Sequence, residues 1–294
     1  MAGARELQVR HDTITRYGER VAVACHVAYL HPRVSARQQV EDFDLLIDPP
    51  PSQRASSSDA FGNVRTCFAL YAPHDELAVR STCRVRLRSE PLPAPGSGMP
   101  WDRVAAALRY CAGAPFEPAT EFVYASPFVP LLPGLRDYAA ASFPPGRATL
   151  AGAIDLMQRI HRDFTYQSGA TEISTPLAEV FEKRRGVCQD YAHVMIGCLR
   201  ALGLPARYVS GYLLTRPRAG EGRLVGADAS HAWVSVWCPA LGWNDLDPTN
   251  DLRVDDAHVT LALGRDYGDV MPLRGVIQGG GEHTLTVAVS VVPV

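Results

Sequence analysis

The chain has 294 residues, enough for two domains, with a formal net charge of −2 and a hydrophobic fraction of 47%. That balance excludes any strong electrostatic case for nucleic acid or an anionic membrane surface, and no run approaches the roughly 18 apolar residues of a membrane span. The cysteines number seven; an odd count with no CxxC pair matches no zinc or disulfide framework. No apolar stretch follows Met1–Leu7 as a secretory leader would require, so a reducing, cytoplasmic setting is expected.

Residues 1–90 read as an antiparallel β-sandwich domain. Val21, Val23, Cys25, Val27 and Tyr29 alternate along one strand, Val64, Thr66, Phe68 and Leu70 along another, and Leu77 to Leu87 along the clearest. Asp59–Asn63 has the composition of a turn before a strand. Arg80, Arg84, Arg86 and Arg88 fall on the outward side of the third strand, as a solvated face that also shields a sheet edge. Residues 91–149 form a proline-rich connector with helices expected from Trp101 to Tyr110 and near Leu135 to Ala141.

Residues 150–294 read as a second domain. Leu150, Ile154, Met157, Ile160 and Phe164 recur at helical spacing, and Pro176–Lys183 gives a short helix before Gly186. A third helix begins at Cys188, carries Tyr191, Val194, Met195, Cys198, Leu199 and Leu202 on its apolar side, and stops at Gly203. Ala206–Leu214 is a strand, followed by a charged, glycine-rich loop from Thr215 to Ala227 that could border a cleft. The tail 251–282 reads as loop, and Leu285–Val291 as a closing strand.

Three segments carry chemistry. Cys188 sits where unpaired backbone N–H groups and the partial positive charge of a helix start favour a thiolate. His231 leads an alternating strand, and a short turn delivers a second strand ending at Asp247 before Pro248, so imidazole and carboxylate fall on neighbouring strands. A thiol, a base and an orienting acid in that set suit nucleophilic acyl transfer. Asp245 shares the strand face of Asp247, which is favoured because Pro248 keeps its backbone extended. His193, five positions after Cys188, lies off the cysteine's side of the helix and is expected to be structural, bonded to a backbone carbonyl. The other histidines, His258 among them, belong to no constellation; Cys83 and Cys198 read as core, and Asp190 as a helix-start acid.

The segments Gly186–His193, Ser230–Trp233, and Gly242-Trp243 through Asp247–Asn250 resemble the transglutaminase-like superfamily in its bacterial branch. Residues His11–Tyr17, Leu30–Arg33, Asp59–Asn63 and Pro73-His74 are similar to that branch's N-terminal β domain. The resemblance implies an α+β, papain-like core in which the nucleophile helix packs on an antiparallel sheet. It implies Cys188 as nucleophile, His231 as general base and acid, and Asp247 as orienter, with no cofactor and no metal. The family holds crosslinking transglutaminases, proteases, peptide N-glycanases and non-catalytic members, so the substrate stays open among peptide and protein amides. Hydrolysis ranks above amine transfer because water is always present and no segment advertises an amine site. A non-catalytic binding module is the alternative from another class.

Overall fold

The computed structural model describes residues 4–113, 115–214 and 230–294. The N-terminal strands are β1 (Ala4–Ala28), β2 (Gln38–Asp48), β3 (Gln53–Ser58), β4 (Val64–Leu70) and β5 (His74–Arg88). Helices α1 (Trp101–Ala107), α2 (Pro133–Ala140) and α3 (Thr149–Asp163) follow, then β6 (Thr165–Tyr166), α4 (Leu177–Lys183), β7 (Arg185–Gly186) and α5 (Cys188–Ala201). The chain continues through β8 (Ala206–Leu213), β9 (His231–Cys238), β10 (Gly242–Asp247), β11 (Leu252–Arg253) and β12 (His258–Gly264). It ends with α6 (Tyr267–Val270), β13 (Leu273–Gly279) and β14 (His283–Pro293).

β1 organises the first sheet. Its register breaks between Arg16 and Val21, so the two limbs of one long strand serve different partners. The first limb lies between β5 and β14, the second between β4 and β13. β2 flanks β5 and β3 flanks β4, all antiparallel. A second irregularity between Val21 and Val23 shifts the alternation. Ala24, His26 and Ala28 are buried there instead of Val23, Cys25 and Val27, because a bulge moves every later side chain to the other face.

The second sheet has the order β11-β10-β9-β8-β12 and is wholly antiparallel. One face takes α5: Val194, Met195, Cys198 and Leu199 share a core with Ala232, Val234, Val236 and Leu246. The other face, through Tyr212, Leu214, Val259 and Leu261, enters the core of the first sheet. Each such fully buried aliphatic side chain contributes about 1.5–3 kcal/mol, so the two halves hold one another by burial. Two carboxamides complete the joint along β12. Asn63 donates to the Leu263 carbonyl at 2.7 Å and accepts from the Leu263 N–H at 2.8 Å. Gln38 does the same for Thr260, at 2.7 and 2.8 Å. These side chains satisfy backbone groups that the end strand of a sheet would otherwise bury unpaired.

Three expectations are corrected. The tail 251–282 is not loop-rich: it contains β12 and β13. β12 is buried along most of its length, so it lacks the alternation that marks a half-buried strand. Residues 273–293, grouped with the second half, pair with β1 in the first sheet. The arginine row lies on β5, which is flanked by β2 and β1 and is no edge. Its arginines reach across strands, Arg80 to Asp12 and Arg86 to Glu6 and Glu41, and Arg84 reaches Glu41.

Candidate active site

The start of α5 is built by close approach. β7 pairs in parallel with β6, which brings the α3 end beside the turn before Cys188. A side chain on Gly186 would place its Cβ 2.3 Å from Asp190 Oδ2, so only glycine fits. That carboxylate accepts from the Val187 N–H at 2.8 Å and from the Thr171 hydroxyl at 2.6 Å. It is a capping acid in the third helical position. Burial raises its pKa, against the pull of those two donors. Behind it, Arg184 adopts a left-handed backbone (φ 53°) and lays its guanidinium 4.2 Å from the Phe181 ring centre and 4.6 Å from Tyr138. The helix therefore begins at a fixed place with Cys188 partly exposed.

His231 opens β9 and Asp247 closes β10. The register sets Leu246 opposite Val234, so Asp247 lies diagonally across from His231 on the same face. His231 Nε2 donates to Asp247 Oδ2 at 2.8 Å, with both side chains wholly buried. His231 Nδ1 makes no hydrogen bond among the described residues, and the Cys188 thiol adjoins the same ring. Burial alone would lower the imidazole's pKa; Asp247 and Cys188 outweigh it and raise it. Asp247 is correspondingly held far below the usual carboxylate range: burial opposes this, but His231 and His258 prevail. The carboxylate is saturated, accepting also from the Thr249 and Asn250 N–H groups at 2.9 and 3.2 Å and from Asn250 Nδ2 at 2.8 Å.

Gly211 stands opposite His231 on β8. A Cβ there would come 2.3 Å from the Trp233 ring and 2.2 Å from the Val259 carbonyl oxygen, so this glycine admits the indole that backs the site. Three tyrosines, Tyr166, Tyr208 and Tyr267, belong to or pack against the same core as Cys188. Burial raises each pKa and the sulfur's charge adds to it, so all three stay protonated and able to donate.

The structure brings Cys188, His231 and Asp247 together at the junction of α5 with β9 and β10. Asp245 stands opposite Ser235, four residues along β9 from His231, whereas Asp247 is the acid hydrogen-bonded to the ring. His193 is buried and neutral, its pKa pushed down to about 3 by burial and by Arg200. It was expected to donate to a carbonyl; instead its Nε2 accepts from the Tyr267 N–H at 3.2 Å. His258, assigned to no constellation from sequence, belongs to this one. Its Nε2 lies 3.4 Å from Asp247 Oδ2 and its Nδ1 3.2 Å from Asp255 Oδ1. Only a doubly protonated ring can donate to two carboxylates, and although burial opposes that charge, the two acids raise its pKa. The available signal was a histidine heading a run, Val259 to Leu263, with no other polar side chain than Thr260. The loop from Thr215 to Ala227 lies outside the described residues.

A helix that starts at a cysteine and packs on an antiparallel sheet, with these groups beside it, fits a transglutaminase-like fold, and the chain belongs to the transglutaminase-like superfamily. Residues 138–248 match the model of that superfamily and residues 7–86 match that of the bacterial transglutaminase-like N-terminal region. An uncharacterized protein of Mycobacterium tuberculosis is 42% identical over 301 aligned residues, covering 100% of this chain and 94% of that protein. A protein-glutamine gamma-glutamyltransferase of Pseudomonas aeruginosa is 39% identical over 98 residues, 32% of this chain and 15% of that one. Among solved structures, a candidate cysteine protease from Cytophaga hutchinsonii superposes with a TM-score of 0.76 at 20% identity, over 99% of this chain and 91% of that one. At that identity the likeness speaks to the fold.

Proposed function

We propose that the protein is a cysteine-dependent amidase or protease that works through a thioester. The buried His231–Asp247 hydrogen bond at 2.8 Å, set beside the helix-start thiol, is the observation that carries this reading. With Nε2–H committed to Asp247, Nδ1 is the nitrogen that takes the thiol proton. The sulfur attacks the amide carbon, and the oxyanion is met by the Cys188 N–H, which as the first helical donor has no carbonyl four residues back. The C–N bond then breaks as His231 returns its proton to the departing amine. Water enters, gives a proton to His231, and its oxygen displaces the sulfur. Amide and water have become carboxylic acid and amine, and the thiol is restored. Asp247 holds the ring in the required tautomer throughout. No step calls for a cofactor.

A second reading, transfer of the acyl group to an amine, is favoured by the stretch shared with the Pseudomonas glutamyltransferase. It differs only in which nucleophile resolves the thioester. Incubation with peptides and a labelled primary amine separates the two: hydrolysis exceeding incorporation supports the first. Rapid alkylation of Cys188 by iodoacetamide at neutral pH, lost in His231→Ala, is expected of either enzyme. A rate no faster than a free model thiol would leave a non-catalytic binding module. A reducing compartment completes the proposal, supported by seven cysteines none of which is paired.

A further inference from the structure

Between the two limbs of β1 the first sheet does not close. A cleft of about 350 Å³ opens there, with Ser230 and Tyr267 among its lining residues. Ser230 immediately precedes His231 in the chain, so one end of the cleft reaches the head of β9. One wall carries Thr13, Thr15 and Tyr17, paired in register with Val287, Leu285 and His283 of β14. The other carries His26, with Gly275 and Ile277 of β13.

Two features set this cleft apart from an ordinary gap. Leu285 and Val287 are 61% and 40% exposed, although the continuation of the same row, Val289 and Val291, is buried in the core. His26 is only 8% exposed, faces the cleft, and has no hydrogen bond on either ring nitrogen. A buried imidazole with an unused donor and an unused acceptor costs free energy until something pairs with it. Gly275 leaves the space the ring occupies, since a Cβ there would fall 2.2 Å from His26 Nδ1.

The chemistry selects the occupant. Apolar side chains alternate with hydroxyls and an imidazole, which fits a peptide and wastes the polar groups on an acyl chain. Among the described residues no carboxylate lines the cleft, whereas Arg274 does, so the described walls offer cationic side chains no partner. Among the described residues β13 and β14 each pair only with β1, leaving their outer edges able to receive an extended chain. We propose that this cleft binds the apolar peptide segment adjoining the amide that Cys188 attacks, so that the N-terminal sheet selects the substrate. The inference rests on acyl transfer at Cys188.

The test uses the full chain carrying Cys188→Ala, which binds without turnover. Fluorescein-labelled hexapeptide amides rich in leucine and phenylalanine are titrated by anisotropy against the same peptides with lysine substituted. Binding is expected to favour the apolar set and to weaken by about tenfold or more in Leu285→Asp, a change at an exposed position. Hydrogen exchange of residues 273–279 and 283–288 is expected to slow when the apolar peptide binds. Equal binding of both sets, or protection confined to other segments, overturns the cleft even if Leu285→Asp is misfolded. Alkylation of Cys188 in the otherwise unaltered protein reports separately on the catalytic reading, so the two can fail independently.

Discussion

Asp247→Asn preserves size and removes one acceptor. In the wild type Oδ2 accepts from His231 Nε2 at 2.8 Å, Asn250 Nδ2 at 2.8 Å and His258 Nε2 at 3.4 Å, while Oδ1 accepts from the Thr249 and Asn250 N–H groups. The NH2 faces two donors where it takes the place of Oδ1 and three, His258 Nε2 among them, where it takes the place of Oδ2. Leaving at least two buried donors unpaired at about 1–3 kcal/mol each costs roughly 2–6 kcal/mol of stability. The catalytic loss is separate: the ring adopts the wrong tautomer, and turnover falls by about 10³–10⁴, or roughly 4–5 kcal/mol of transition-state stabilisation. The sign of the pH dependence also changes. A carboxylate depressed in the folded state stabilises above its unfolded pKa of 3.8, and that stability is lost as pH falls through the folded value. The wild-type melting temperature should therefore drop below about pH 4, and the variant's drop should be shallower. Melting curves and the rate of Cys188 alkylation, read by mass spectrometry at neutral pH, measure both effects. A variant that melts earlier yet alkylates at the wild-type rate would refute the reasoning, because Asp247 would then serve the fold alone.

His258→Gln removes a buried cation held by Asp247 and Asp255. Because the folded pKa of His258 is raised, its stabilisation is complete below the unfolded value of 6.5 and is lost as pH rises through the folded one. The variant's melting temperature should decline less steeply than wild type above pH 6.5; identical slopes would remove the charge from the account. Gly186→Ala drives a Cβ into the Asp190 carboxylate, and breaking that cap with local overpacking should cost about 2–4 kcal/mol in chemical denaturation. A cost below about 0.5 kcal/mol would mean the turn relaxes freely. Asn63→Ala unpairs both backbone groups of Leu263 and should cost about 2–4 kcal/mol while slowing Cys188 alkylation little.

The elements with one clear period were legible before the structure. β5 buries one face, and its alternation marks both its type and its limits; α5 and β9 are buried nearly all round rather than on the one side expected, and were legible from their ends and composition. The thiol two residues after Gly186, the imidazole at the head of β9 and the acid before Pro248 that closes β10 could be named because each sits at an element end. What escaped had physical causes. β12 is buried along most of its length and shows no alternation. β13 is glycine-rich and mostly exposed, so it offers no apolar face. The bulge after Val21 reverses a pattern that periodicity alone carries straight through. His258 is linked to Asp247 only by the pairing of β12 with β8, a relation between segments that no local window contains.

The central claim is that Cys188 becomes acylated and that His231 makes this possible. Rapid acid quench of the protein with a peptide substrate, followed by digestion and mass spectrometry, reads it directly. The account predicts an acyl mass on the peptide containing Cys188, absent in Cys188→Ala and strongly reduced in His231→Ala. Acylation of another cysteine, or equal acylation of Cys188 without His231, would contradict it.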